Sequence, residues 1–208
     1  MPSREYHQEL WRALPEGLEP SHFQARRRFL LEHVAAGERV LDVGCGEGRF
    51  TSELVRAGAH AIGIDVAQEP LRRALARHPQ LELALVAEEG PWELADAAFD
   101  VVWAGEVIEH VADTAAWLSE VRRVLRSGGS LLLSTPALER LTLIGLALSR
   151  RAFAQRFEPR GDHLRFYSRR TLTQLLAEFG FEQVSVRRAG GLPGGRGPLL
   201  ARAIRSRF

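Results

Sequence analysis

The chain has 208 residues, 45% of them apolar, which is enough for one domain with a substantial core. Its formal net charge is +2, and its arginine pairs, Arg72-Arg73 and Arg122-Arg123 among them, are scattered among acids. That distribution reads as solvated helix faces and argues against a nucleic-acid surface. All 28 basic residues are arginine, and Cys45 is the only cysteine, so no internal disulfide can form. The start, Met1-Pro2-Ser3-Arg4-Glu5-Tyr6-His7, has no signal pattern, and the longest apolar stretch, 141–148, is too short to cross a bilayer. A cytoplasmic location is expected.

Two amphipathic stretches, 5–14 and 22–34, read as a helical lead-in of residues 1–38, broken by Pro15-Glu16-Gly17 and Glu19-Pro20-Ser21. From residue 39 onward, apolar runs at 39–43, 60–65, 81–86, 100–104 and 129–134 alternate with helical patterns at 47–57, 68–77 and 112–126. Alternation of this kind means a parallel sheet covered by helices on both faces, an α/β fold. Ser127-Gly128-Gly129 is expected to stop the third of these helices, and Pro136 to end the strand after it. A mostly helical insertion at 138–157 follows, then a helix from Ser168 to Phe179-Gly180-Phe181, a strand at 182–189, a glycine-rich loop at 190–198 and a last run at 199–204.

The chemistry is carried by Val40-Leu41-Asp42-Val43-Gly44-Cys45-Gly46-Glu47-Gly48-Arg49-Phe50 and the later Ala61-Ile62-Gly63-Ile64-Asp65. Glycines at 44 and 46 let the backbone approach a ligand closely, and Asp65 can accept hydrogen bonds from two ribose hydroxyls. A nucleoside is therefore expected. A dinucleotide fingerprint needs glycine at 49, where this chain has Arg49, which disfavours the rival reading of an NAD(P)-dependent oxidoreductase. Cys45, inside the turn, reads as a small residue filling a tight corner rather than a nucleophile.

This turn resembles motif I of the class I S-adenosylmethionine-dependent methyltransferases, and the rest of the chain extends the likeness in order. It continues through Phe99-Asp100-Val101-Val102, Gly105-Glu106-Val107-Ile108-Glu109-His110-Val111, Arg123-Val124-Leu125-Arg126-Ser127-Gly128-Gly129, His163-Leu164-Arg165-Phe166-Tyr167-Ser168 and Phe179-Gly180-Phe181. The whole is most similar to the ubiquinone-biosynthesis type.

The resemblance implies a Rossmann-like seven-stranded sheet, order 3-2-1-4-5-7-6, with a C-terminal antiparallel hairpin and one methyltransferase domain over 1–208. It implies S-adenosylmethionine as cofactor, with Asp42, Gly44, Cys45 and Gly46 at its methionine part and Asp65 and Val66 at the ribose. Glu88 or the backbone near Glu89 would meet the adenine, and Ala104 the amino group. Glu88 stands where the family more often has Asp, and Trp92-Glu93-Leu94 replaces a Leu-Pro-Phe type of run.

Glu106, Glu109 and His110, spaced i, i+3 and i+4, could converge on one helical turn, with His163 as a distant fourth ligand. Relatives that methylate one oxygen of a vicinal diol hold Mg²⁺ this way; in others the same residues only shape the pocket. Without a metal, His110 and His163 are candidate general bases or simple pocket histidines. The insertion, taken as 138–167, is expected over the acceptor site. Leu141, Leu143, Ile144, Leu146 and Leu148, followed by Arg150, Arg151, Arg156 and Arg160, suit a lid, a dimer contact or a peripheral membrane contact at 141–156. The activity expected is methyl transfer to a small or medium acceptor, with O-methylation favoured by analogy, in a monomer or homodimer; a non-catalytic S-adenosylmethionine sensor is the remaining alternative.

Overall fold

The computed structural model describes residues 3–158, 163–190 and 197–207. Seven strands form one sheet of order β3-β2-β1-β4-β5-β7-β6. Its centre is parallel: β1 (Arg39–Val43) lies between β2 (His60–Asp65) and β4 (Phe99–Gly105), with Val40 level with both Ala61 and Val101. β3 (Glu82–Leu85) forms one edge, and β5 (Leu125–Thr135) continues the parallel set beyond β4. β7 (Leu199–Arg205) runs antiparallel between β5 and β6 (Phe181–Arg188), giving the expected terminal hairpin. The glycine-rich loop joining β6 to β7 falls largely at 191–196, outside the described residues, as does Arg160.

Side chains two apart share a face, so each central strand feeds two cores. Leu41, Val43, Val102, Ala104, Leu131 and Leu133 join one core, which α5 (Thr114–Val124) and α8 (Arg169–Glu178) cover with Trp117, Leu118, Leu172 and Leu176. Val40, Val101, Trp103 and Leu132 join the other, beneath Phe23, Phe29 and Leu30 of α2 (Phe23–Leu31) and Phe50 and Leu54 of α3 (Arg49–Arg56).

Several boundaries move from their expected places. α3 starts at Arg49 because Gly48 stands before it at φ 70°, outside helical geometry. α5 is capped by Asp113, whose side chain accepts from the Ala115 and Ala116 amides, and it ends where Leu125 turns extended. Strand β5 therefore begins before Gly128-Gly129, which lie inside it rather than stopping the helix.

The lead-in is folded back onto the sheet rather than standing apart. Gln8 of α1 (Ser3–Ala13) accepts from the Gln68 and Glu69 amides at 2.9 and 3.1 Å, capping α4 (Gln68–Arg77), whose own cap residue, Ala67, has no side-chain acceptor. The segment after α1 is pinned by buried Glu47. It accepts from the Gly17 amide at 2.8 Å and from Arg77 at 2.7 Å, while Arg73 donates to the Leu14 carbonyl at 3.0 Å.

The insertion forms α6 (Arg140–Ala147) and α7 (Arg150–Arg156), leaving Leu143, Ile144, Leu148 and Phe153 exposed. Its ends meet where the Leu138 amide donates to the Tyr167 carbonyl at 2.8 Å. Among the described residues, no helix is long and apolar enough to cross a membrane.

Candidate active site

The carboxyl ends of β1, β2 and β4 open onto a cavity of about 200 Å³. Gly44, at φ 67°, ends β1, and a Cβ built there would meet Val107 Cγ2 at 2.5 Å. The turn is held by its own amides: those of Gly44 and Cys45 donate to the Ile64 carbonyl at 2.8 and 3.0 Å. Asp65, ending β2, then accepts from the Gly46 amide through Oδ2 and the Ala67 amide through Oδ1, both at 2.9 Å. One buried carboxylate thus ties the glycine turn to the start of α4, and two acceptors on each oxygen leave it capacity for a ligand. Burial raises its pKa above the ordinary carboxylate value.

Of the residues expected around a nucleoside, Gly44, Asp65, Val66 and Glu88 line this cavity. Others are placed elsewhere. Asp42 points to the opposite face of the sheet, where Oδ2 accepts from the Thr51 hydroxyl at 2.6 Å and burial pushes its carboxyl up to about 7. Cys45 turns back towards Gly63, and burial holds its thiol well above the ordinary range, as suits a corner-filling residue. Gly46 lies beneath the Trp11 indole, Glu89 accepts from the Asp113 amide at 2.9 Å, and Ala104 is fully buried in the core.

The roof went unseen in the sequence. His7, Leu10, Trp11 and Leu14 close the cavity from α1 and its exit, and Trp92, Val107 and Trp117 complete its apolar wall. The amphipathic pattern of 5–14 shows that α1 has a face to bury, but not what the face covers.

Beyond Gly105 the chain forms a bend and a turn, not the helical turn expected for 106–110. Glu106 sits at φ 59°, which directs it to Ser134, whose hydroxyl donates to Oε1 at 2.9 Å. It is therefore outside the group that gathers: donor atoms of Glu109, His110 and His163 lie within 4.8 Å of one another. His163 is brought in because the Leu164 and Arg165 amides both donate to the Glu109 carbonyl, at 2.8 and 3.1 Å. Its ring meets His110 at 4.9 Å between centroids, and His110 in turn lines the cavity. Glu109 is 1% exposed and burial, with Glu106 nearby, pushes its carboxyl up to about 8. Arg26, buried against the rings of Phe50 and Trp103, sets a positive charge near Glu106, Glu109 and Asp42.

Comparison with known proteins gives this arrangement its class. Residues 8–186 match the family model described as a methyltransferase domain. A Mycolicibacterium smegmatis protein named a probable S-adenosylmethionine-dependent methyltransferase is 34% identical over 82% of this chain and 63% of its own. The ubiquinone biosynthesis O-methyltransferase of Hahella chejuensis is 40% identical over 53% of this chain and 48% of its own. The chain thus spans about half to two thirds of the length of these curated relatives.

Among solved structures, geranyl diphosphate C-methyltransferase from Streptomyces coelicolor shares the fold at TM-score 0.70 and 16% identity, over 99% of this chain and 98% of its own. A Haloferax volcanii methyltransferase in complex with the Trm112 activator does so at 0.76 and 17%, over 96% of both chains.

The chain belongs to the methyltransferase-domain family and has the class I methyltransferase fold. S-adenosylmethionine is its cofactor, which sets aside the NAD(P)-dependent oxidoreductase.

Proposed function

We propose that the chain moves the sulfonium methyl group of S-adenosylmethionine onto a hydroxyl of a small or medium-sized acceptor. The observation that carries this reading is that His110 lines the same cavity as Gly44 and Asp65. A group able to take a proton thus stands beside the cradle for the donor. The methyl carbon is already electrophilic, so what is required is an in-line oxygen held close and relieved of its proton. As the carbon–oxygen bond forms, the carbon–sulfur bond breaks and the hydroxyl proton passes to His110 or His163.

In this reading Gly44, with Asp42, Cys45 and Gly46 behind it, shapes the methionine side. Asp65 and Val66 hold the ribose, Glu88 and Glu89 stand at the adenine side, and Ala104 underlies the amino group. Residues 1–208 act as one domain, with 138–167 over the acceptor as a lid or a contact between copies, in a monomer or homodimer of the cytoplasm. The names of the curated relatives support oxygen as the methylated atom.

A metal-assisted version has its own support. Both carboxylate oxygens of Glu109 are buried without a hydrogen-bond partner, beside two imidazoles. This donor set fits a divalent cation, with Glu109, His110 and His163 as ligands and Glu106 as an outer acid. Two imidazoles suit Mn²⁺ at least as well as Mg²⁺. A cation bound there would lower the pKa of an acceptor hydroxyl.

Incubation of the protein with methyl-labelled S-adenosylmethionine and a fractionated metabolite extract, read by mass spectrometry, tests the proposal. A labelled methyl ether is the expected product. Tight S-adenosylmethionine binding with no labelled product at any pH or with any added cation would instead make the protein a sensor.

A further inference from the structure

Arg156 ends α7, in the 138–167 segment that the reading above sets over the acceptor. Its guanidinium lies over the Phe166 ring, 4.8 Å from the centroid. Phe166 is braced by Phe157 at 5.1 Å and meets His163 at 6.3 Å, so the arginine is carried on a packed aromatic stack that ends at the Glu109, His110 and His163 group. Its charge is within electrostatic reach of Glu109 and Glu106, yet its Nε is buried without a hydrogen-bond partner. A donor left unmade in this way is costly, and its side chain belongs to the segment that the methyl-transfer reading sets over the acceptor.

Neutralising the local carboxylates does not account for it. Arg26, buried against Phe50 and Trp103, already lies within electrostatic reach of Glu106 and Glu109. Its neighbours on α7, Arg150 and Arg151, are exposed, whereas Arg156 is turned inward.

We infer that Arg156 is an acceptor-binding residue that receives a carboxylate of the acceptor, making the substrate an anionic molecule rather than a neutral one. The inference rests on the methyl-transfer reading above and adds the charge class of its substrate. A planar guanidinium pairs with a carboxylate through two parallel hydrogen bonds, which supply orientation as well as affinity. A dianionic phosphate is disfavoured, since a single guanidinium matches the one charge of a carboxylate and would leave a second charge unpaired.

The test uses benzoate and its neutral isostere benzamide as probes, titrated calorimetrically into the full chain saturated with S-adenosylhomocysteine. Benzoate is expected to bind at least about tenfold more tightly than benzamide. Arg156→Gln should remove that preference, Arg156→Lys should keep part of it, and Arg151→Gln should leave it unchanged. S-adenosylhomocysteine affinity, measured on each variant first, should stay within about twofold and reports that the chain is folded. Equal binding of the two probes, no binding of benzoate, or an undiminished preference in Arg156→Gln would overturn the carboxylate anchor while leaving the methyltransferase reading intact. Failure of the unaltered protein to bind S-adenosylhomocysteine would remove both.

Discussion

The Gly46 amide donates to Asp65 Oδ2 at 2.9 Å, so the acid ending the second strand clamps the turn that ends the first. Its other oxygen holds the Ala67 amide at the same distance. Asp65→Ala should therefore destabilise the chain by about 1–3 kcal/mol, since two amides lose their acceptor. It should also weaken S-adenosylhomocysteine binding by at least about tenfold. Asp65→Asn retains one acceptor oxygen and should recover more of the stability than of the binding. Thermal melting and calorimetry on the two variants separate these effects.

Gly44 should tolerate no side chain. A Cβ there would stand 2.5 Å from Val107 Cγ2, on a backbone at φ 67°. Gly44→Ala should cost about 1–2 kcal/mol from the left-handed backbone alone and reduce donor binding sharply. Adding Val107→Ala relieves the contact but not the backbone strain. The double variant should thus melt above Gly44→Ala and below the unaltered protein.

Stability should depend on pH through Glu109. Its pKa lies near 8 when folded, against an ordinary 4.5, so the native chain holds the proton more tightly than the unfolded one. The associated stability is complete below the ordinary value and is lost as pH rises towards about 8. Glu109→Gln, which stays neutral, should gain on the unaltered protein by about 1 kcal/mol or more at alkaline pH and far less under acid conditions. Saturating Mn²⁺ should raise the alkaline melting temperature of the unaltered chain and not that of Glu109→Gln. Equal shifts in both would count against a cation at Glu109, His110 and His163.

Tryptophan emission should report donor binding. Trp11, Trp92 and Trp117 line the cavity, while Trp103 is sealed in the core on the other face of the sheet. S-adenosylhomocysteine should change the emission, and Trp11→Phe should remove a large part of the change. An undiminished signal in that variant would mean that α1 does not cover the bound donor.

The sheet was legible because its strands are short apolar runs between helical patterns, buried on both faces. The antiparallel β7 came from family likeness, since alternation says nothing of direction. Gly128-Gly129 misled because glycine at a positive φ serves inside an irregular strand as well as after a helix; here Gly128 takes φ 74° within β5. At the site, Gly44 and Asp65 were legible from spacing alone. The spacing of Glu106, Glu109 and His110 presumed a helix, and φ 59° at Glu106 breaks it. His7 and Trp11 lie far from the motif in sequence and reach it only through the docking of α1 on α4.

Asp42 sits in the signature most readily taken for a ligand contact, yet it joins β1 to α3 through the Thr51 hydroxyl, behind the glycine turn at the cavity. An Asp42 variant that fails to bind would be reporting on foundations. Loss of the girder tilts α3 and the turn leading into it, and the cradle gives way without a single contact to its occupant having been deleted.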